Sequence, residues 1–355
     1  GFLKLNTFNL PDSTIEKGDD YFNTVLYTGN SVADRAVTGV GFQPDWTWIK
    51  SRSTTNGHNL FDSVRGAGEL LQSQTAGAEI DNTAYFTDFI SDGYQLGLVG
   101  GDTNGSGTTY VAWNWLASNT TATNSAGANG ASIASTYSAN TTSGFSIITW
   151  ASPVSNGSTI LHGLSSTPEV LICKSSSASG AWGVFSPTIL GSSYLYLYLT
   201  AAAYNDARYV PTLSSTLITV PEFVYYFGGP SNSGNNLCYA FNSVPGYSAF
   251  GSYTGNGSTD GPFIFTGMRP SWLLVKRTDA AGNAWYLEDS SRNTYNPVNL
   301  ELYPNLANAE ATSTDYDFLS NGFKIRASHT GINANGGTYF YMAFAENPFK
   351  NSNAR

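Results

Sequence analysis

Few residues in this sequence are spaced in a way that would support catalysis. Asp315 and Asp317 are the nearest approach to paired acidic side chains, whereas glycoside hydrolysis needs two carboxylates that face one cleft. An Asn-Gly pair that predicts a hairpin follows them, so we expect both aspartates to be turn residues. His58, His162 and His329 stand in separate polar segments without a nucleophile elbow or metal-ligand spacing. The sequence therefore predicts a protein that is not an enzyme.

Recognition through aromatic side chains is the second chemistry to consider. In the alternating segment 194–199, a period of two places Tyr194, Tyr196 and Tyr198 on one face and three leucines on the other, which we expect to face the core. Tyrosine rings suit both protein interfaces and stacking against sugars. An interface between subunits or modules, a glycan platform and an ordinary half-buried sheet all remain open. Trp182 and Trp285 follow loops rich in small residues and are either core residues or further ligand contacts.

Two short charged motifs have a structural interpretation. Asp62 with Arg65, and Asp289 with Arg292, share the same spacing, which is typical of a local ion pair or turn clamp. The loop at Asp102 offers oxygen ligands compatible with calcium. We expect no other cofactor and assign no metal ligands.

These residues belong to a chain that repeats one element three times. Segments 43–50, 167–174 and 269–276 each carry a proline, a run of apolar or β-branched residues and a closing lysine. Each predicts one strand, with proline at the first strand position. The lysines are Lys50, Lys174 and Lys276, and we expect each amine to reach solvent over neighbouring aromatic rings.

Other signals delimit the repeating unit. The Asp-x-x-Arg motif and a later Asp-Gly or Asn-Gly hairpin occur in the same order near both ends of the chain, and both are missing from the middle. We predict an all-β fold of three tandem antiparallel β-sandwich modules. The boundaries are a docking arm (1–24), module 1 (25–117), a Ser/Thr/Asn/Gly-rich linker (118–143), a divergent module 2 (144–244), module 3 (245–346) and a tail (347–355). We expect the linker to be flexible or to lie on the surface, and the arm to pack on another subunit or particle.

Composition excludes several classes of protein. Charged residues make up only 12% of the chain and aromatic residues 14%, as expected for a β-rich fold. With 16 Lys and Arg and a net charge of −9, nucleic acid is not an expected partner. We predict neither a membrane span nor a secretion signal. Cys173 and Cys238 are expected to be buried free thiols, with a bridge between them left open.

The motifs also carry a resemblance to a known family. The patterns at 27–30, 41–52, 61–66, 91–97 and 110–115 resemble modules in virion structural proteins of tailed phages, especially those that infect marine bacteria. That resemblance implies a tail-fibre-like protein with concanavalin-like lectin, SPRY-type or jelly-roll sandwiches. It covers nearly the whole chain after residue 24 and implies no catalytic residue.

Three functions follow as expectations. The first is a noncatalytic virion protein, a tail fibre or similar, that recognises a glycan or another receptor on the host surface and forms a homo-oligomer, with a trimer favoured. Its arm would contact other virion proteins on the tail or capsid exterior. The second is a capsid decoration protein that cements the phage head. The third is a glycan depolymerase with a site between subunits.

Overall fold

The computed structural model describes residues 13–98, 100–223, 225–228 and 234–348, which fold mainly as antiparallel β-sheet. Module 1 contains β1 (Phe22–Thr28), β2 (Arg35–Thr38), β3 (Trp46–Ser51), β4 (His58–Asp62), β5 (Gly66–Leu71), β6 (Ile80–Asp81), β7 (Phe86–Ile90), β8 (Gly93–Leu96) and β9 (Thr109–Trp115). The predicted all-β class, with antiparallel sheets in a sandwich-like arrangement, is confirmed.

The rest of the chain continues in the same way. The middle third contains β10 (Ala122–Asn124), β11 (Ser135–Asn140), β12 (Phe145–Ala151), β13 (Thr159–Leu161), β14 (Val170–Ser175), β15 (Gly183–Phe185), helix α1 (Pro187–Leu190), β16 (Ser193–Tyr196), β17 (Tyr204–Asn205), β18 (Thr212–Leu213), β19 (Leu217–Thr219) and β20 (Asn235–Phe241). Module 3 contains β21 (Ser248–Thr254), β22 (Phe263–Phe265), β23 (Met268–Arg277), β24 (Trp285–Asp289), β25 (Val298–Glu301), β26 (Ala311–Leu319), β27 (Gly322–Ile325), helix α2 (Thr330–Asn333) and β28 (Thr338–Pro348).

Strand order repeats among the sheets. The larger sheets run β1-β9-β3-β4-β5, β12-β20-β14-β15-β16 and β21-β28-β23-β24, and an isolated bridge at Leu302 continues the third. The smaller sheets run β2-β8-β7, β13-β19-β18 and β22-β27-β26. We interpret this common order as one sandwich topology present three times, and we use it to match positions between modules.

The three larger sheets enclose one shared core. Its buried side chains come from all three modules and include Trp46, Trp113, Trp115, Phe145, Trp182, Leu195, Tyr239, Phe241, Trp272, Trp285, Met342 and Phe344. Each module has a second, separate core between its own two sheets. The modules are therefore not independent units joined by linkers, because each module buries one face of its larger sheet against the larger sheets of the other two modules.

One backbone hydrogen bond recurs at each contact between modules. The amide of Glu79 donates to the carbonyl of Ser176 at 2.7 Å, that of Ala203 to Thr278 at 2.8 Å, and that of Glu310 to Arg52 at 2.8 Å. Each acceptor lies two residues after the closing lysine of its strand. The three contacts thus follow a cyclic order, module 1 to 2, 2 to 3 and 3 to 1, as in a trimer built from one chain.

Two segments differ from the sequence-based expectation. Within the predicted arm, residues 13–24 belong to the fold, since Ile15 and Phe22 are buried in the shared core; residues 1–12 lie outside the described residues, as does most of the predicted tail, 349–355. The predicted linker supplies β10 and β11, which extend the sheet of module 2. Its small polar side chains are compatible with a sheet edge, so composition alone did not distinguish a strand from a flexible tether.

Both predicted hairpins form, whereas the prediction that each proline occupies the first position of its strand is wrong. Pro44 and Pro168 precede their strands, but Pro270 lies inside β23, where the pairing shifts register on both sides of it. Both hairpins form, yet Gly93 and Gly322 pair as the first strand residues after the turn. Glycine is needed there because a Cβ would lie 2.0 Å from a carbonyl oxygen of the neighbouring strand.

Candidate recognition surface

A cluster of tyrosines forms the most distinctive surface of module 2. Antiparallel pairing of β16 with β17 places Tyr194 beside Tyr204, and the chain beyond residue 206 returns further rings to the same place. Ring centroids lie 4.9 Å apart for Tyr196 and Tyr204, 5.6 Å for Tyr194 and Tyr226 and 5.2 Å for Tyr225 and Tyr226. We define the tyrosine cluster as Tyr194, Tyr196, Tyr198, Tyr204, Tyr209, Tyr225 and Tyr226.

The tyrosine cluster runs from the interior of module 2 to solvent. Tyr194 and Tyr226 are buried in the core of the module, whereas Tyr204 and Tyr225 are 45% and 53% exposed. Leu195 and Leu197 point to the shared core, as predicted. Leu199 does not join them, because the chain turns after β16 and the alternation ends at Leu197. The inner rings therefore anchor the outer ones.

Burial opposes ionisation of three hydroxyl groups in the tyrosine cluster. Burial raises the pKa of Tyr194, Tyr198 and Tyr226 above the ordinary value for tyrosine. Nearby, the Arg208 guanidinium lies 4.5 Å from the ring centroid of Phe223 and pairs with Asp206 at 2.7 Å. This surface therefore combines exposed aromatic rings, neutral hydroxyl donors and acceptors, and one cation.

Sequence reasoning found part of this surface. The alternation of Tyr194, Tyr196 and Tyr198 was predicted from the sequence, and the structure adds Tyr225 and Tyr226, which are adjacent in a separate aromatic run. Tyr204 and Tyr209 were missed because each is a single tyrosine in an irregular segment. Only the pairing of β16 with β17 brings Tyr204 to the cluster.

Trp182 and Trp285 are interface residues and not exposed glycan contacts. Both side chains are fully buried in the shared core. The Trp182 Nε1–H donates to the carbonyl of Gln72 and that of Trp285 to the carbonyl of Tyr196, each at 2.9 Å across a module boundary. His58 occupies the matching position in module 1 and interacts with the backbone of Tyr303, although its Nε2 makes no hydrogen bond of good geometry.

The predicted ion pairs are present and also join modules. Arg65 contacts Asp62, and Arg292 contacts Asp289, at 2.6 Å in each case. Each aspartate also accepts a hydrogen bond from an aromatic ring of the next module. Tyr239 donates to Asp62 at 2.9 Å and Trp113 donates to Asp289 at 3.0 Å. The aspartates are therefore local clamps and interface acceptors at once.

A neutral set of residues occupies the third interface. Ser186 follows Phe185, which pairs with Leu171 as Phe61 pairs with Thr47, so Ser186 matches Asp62. Counting along the chain from this position, Ile189 matches Arg65 and Ala203 matches Glu79. Met342 matches the donors Trp113 and Tyr239, because each of the three pairs with the residue two positions before the closing lysine of its module. The donor and its acceptor are thus absent together, and Ser186 Oγ finds no hydrogen-bond partner in the part of the chain that the structure describes.

The prediction that the three repeated lysines reach solvent is wrong. Lys50, Lys174 and Lys276 are fully buried, and their amines donate to backbone carbonyls at 2.6 Å, on Ser51, Gly180 and Asn283 respectively. Burial lowers the pKa of each of these lysines to about 8. The strands that carry them end inside the contact between modules, so the amine binds loop carbonyls that close over it.

The two cysteines and the loop proposed for calcium are held by contacts within the fold. Cys173 and Cys238 are buried free thiols, with their sulfur atoms 3.0 Å apart on paired strands. In the loop proposed for calcium, the Asn104 amide already donates to two backbone carbonyls. Among the described residues, no helix has the length and apolar character needed to cross a membrane.

Module 3 contains a group of titratable side chains that sequence reasoning missed. Carboxylate oxygens of Glu301 and Asp315 and a ring nitrogen of His329 all lie within 4.8 Å of one another. Asp315 and Asp317 both lie in β26 and not in a turn, so the expectation for these residues was wrong, and Asp315 is fully buried. Burial, followed by the neighbouring Asp315, raises the pKa of Glu301 to about 7. Successive members of this group are 14 residues apart in the sequence, which is too far for a local motif to reveal them.

A cleft of about 560 Å³ lies where module 1 meets β10 and β11. Glu69, Glu79 and Arg65 line one side, and short polar residues such as Ser135 and Thr149 line the other. Burial and the neighbouring Glu79 raise the pKa of Glu69. Arg65 already bonds Asp62 and Glu79, so the cleft wall is part of the same clamp that joins modules 1 and 2.

Comparison with known proteins gives one match. No curated protein and no solved structure is similar enough to match this chain. A family model described as a domain of unknown function (DUF7483) matches residues 17–348. That single match spans all three modules, together with the segment from residue 17 that packs into the shared core. The chain therefore belongs to this family of unknown function.

Proposed function

We propose that this protein is a noncatalytic virion surface protein of a tailed phage that binds host-surface glycan through the tyrosine cluster of module 2. The observation that supports it most is the pair of exposed rings, Tyr204 and Tyr225, held against buried tyrosines. The resemblance of the repeated motifs to phage virion modules supplies the setting, and the tyrosine cluster supplies the chemistry.

The exposed rings have the properties that sugar recognition requires. A sugar ring presents apolar C–H faces and hydroxyl edges, so a receptor needs flat aromatic surface beside neutral hydrogen-bonding groups. Tyr204 and Tyr225 offer the flat surface, and the Tyr196 hydroxyl, 3.4 Å from that of Tyr194, lies between them and the core. Few rotatable bonds in each tyrosine keep the entropy lost on binding small.

The anchoring of the cluster explains why module 2 differs from the other two. Its inner leucines, Leu195 and Leu197, are fixed in the shared core, and the backbone carbonyl of Tyr196 accepts a hydrogen bond from Trp285 of module 3. The strand that carries the tyrosines is thus held from behind by another module. Modules 1 and 3 would serve as the scaffold that keeps this surface rigid.

Binding to polysaccharide from marine bacterial envelopes tests the proposal. We expect Tyr225→Ala and Tyr204→Ala each to weaken binding about tenfold, since loss of one stacking ring is worth roughly 1 to 2 kcal/mol. Tyr295→Ala is the matched control, because Tyr295 is 73% exposed and lies in module 3. Absence of binding to every envelope fraction, or equal loss in the control, would overturn the proposal.

A capsid decoration protein is the second candidate, favoured by the cyclic arrangement of three similar modules. A single chain with three related outer faces matches a threefold group of shell subunits. Stripping the protein from particles distinguishes the candidates. Loss of shell strength with normal adsorption to cells would favour decoration, and loss of adsorption with an intact shell would favour host recognition.

A further inference from the structure

The interior of module 3 contains carboxylates where the matching interior of module 1 is apolar. Glu288 pairs with Leu273 as Phe61 pairs with Thr47, so the two side chains occupy the same position of the sandwich. Glu301 precedes Leu302, which pairs with Leu287 as Leu71 pairs with Leu60, and it therefore matches Leu70. Phe61 and Leu70 are both buried in the core of module 1.

Several oxygens of this carboxylate group lack a hydrogen-bond donor. Both oxygens of Glu288 and Oδ2 of Asp315 are buried and make no hydrogen bond among the described residues. Glu288 and Asp315 interact with each other, so two acidic groups are buried together. Leaving such groups buried without partners is unfavourable, so the site needs protons or a cation.

The remaining members of the group have the geometry of a metal site. His329 Nε2 forms a hydrogen bond with Asp315 Oδ1 at 3.1 Å, and the Ser313 hydroxyl donates to the same oxygen at 2.7 Å. Two donor atoms that each lie about 2.1 Å from one ion are roughly 3.0 to 3.4 Å apart when they subtend an angle between octahedral and tetrahedral values. Glu301 lies within 4.8 Å of both and accepts a hydrogen bond from the Tyr303 hydroxyl, so its carboxylate would have to rotate towards the other two to share an ion with them. The side chain of His329 is 35% exposed, which gives an ion a path from solvent.

We propose that Glu301, Asp315 and His329 bind one divalent transition-metal ion of the zinc class, with Glu288 as a neighbouring negative charge that the ion would offset. One imidazole with carboxylates is a donor set that zinc accepts, whereas calcium and magnesium prefer oxygen ligands alone. The ion would join β25 and β26 to the segment that precedes α2, and so would stabilise the outer part of module 3.

Metal titration of the full-length protein tests this assignment. After treatment with EDTA and gel filtration, the protein is incubated with ZnCl₂ and filtered again, and zinc per chain is measured by plasma mass spectrometry. We expect about one ion per chain and a rise in Tm of at least about 2 °C, because the ion binds only the folded site.

Variants separate this site from adventitious binding. We expect His329→Ala and Glu301→Gln each to lose the ion and the rise in Tm. Asp317→Asn is the matched control, since it removes a carboxylate from the same strand and should keep both. Circular dichroism of each variant shows whether it is folded. Binding below about 0.1 ion per chain, unchanged binding in folded His329→Ala, or binding of calcium alone would overturn the proposal.

Discussion

Two of the three module interfaces are polar at their centre and the third is not. Where module 2 meets module 1, and where module 1 meets module 3, an aspartate clamped by arginine accepts a hydrogen bond from a neighbouring ring. Where module 3 meets module 2, the matching residues are Ser186, Ile189 and Met342. The backbone hydrogen bond that recurs at each interface between modules is thus compatible with a buried ion pair or with apolar side chains beside it, provided that both sides of the interface change together.

This contrast explains why module 2 lost its charged motif without losing its fold. A buried carboxylate without its arginine and its ring donor would be strongly unfavourable, so partial loss is not tolerated. Complete replacement by neutral residues removes the desolvation penalty as well as the attraction. The sequence showed only that the motif was missing, and the structure shows that its partner on module 3 is missing too.

Removing one aspartate should have the largest effect on stability. We expect Asp289→Asn to lower the free energy of unfolding by about 3 kcal/mol, since it leaves the Arg292 guanidinium buried without its nearest counter-charge. Urea unfolding followed by tryptophan fluorescence measures this loss.

Ser186→Ala is the matched control at the third interface. Its hydroxyl has no hydrogen-bond partner among the described residues, so we expect a change of less than about 1 kcal/mol. Similar losses for the two variants would show that the polar and apolar interfaces do not differ in the way described here.

The three buried lysines should have a smaller effect, which depends on pH. Each folded-state pKa is about 8 and lies below the ordinary value of 10.5. The unfolded chain therefore binds more protons between these values, and stability rises with pH from about 8 towards 10. We expect each lysine to contribute about 1 kcal/mol to the rise between pH 8 and 9.

Lys276→Met should remove one such contribution, so its stability should rise less steeply over that pH range than that of the unmodified protein. Lys17→Met is the control, because Lys17 is exposed and its pKa is raised by hydrogen bonding to Asp20. If the stability of Lys276→Met rose with pH as steeply as that of the unmodified protein, the claim that burial lowers the pKa of Lys276 would be contradicted.

Local signals made part of the fold predictable. The strands that begin near Pro44, Pro168 and Pro270, the two hairpins and the Asp-x-x-Arg clamps all follow from residues close together in sequence. The burial of Lys50, Lys174 and Lys276 could not be predicted in this way, because it depends on how the loop after each strand folds back to present a carbonyl to the amine, and on the packing of the modules around it. A lysine after an apolar run looks the same whether the next module covers it or solvent does.

The residues of the candidate sites also fall into those that local sequence predicts and those that only the fold brings together. The tyrosines of β16 were predictable from their alternation, whereas Tyr204 needed the pairing of β17 to reach them. Glu301, Asp315 and His329 carry no local motif and meet only through the sheet of module 3. Long-range pairing, and not composition, determines which titratable groups become neighbours.

The claim that three modules share one core is tested most directly by expressing residues 245–348 alone. The inner face of module 3 would then expose Trp272, Leu274, Trp285, Phe340, Met342 and Phe344, all of which are buried in the full chain. We predict that this fragment forms no stable folded monomer, as judged by amide dispersion in NMR spectra and by sedimentation. A monomer with dispersed amide signals and a cooperative thermal transition would contradict the account.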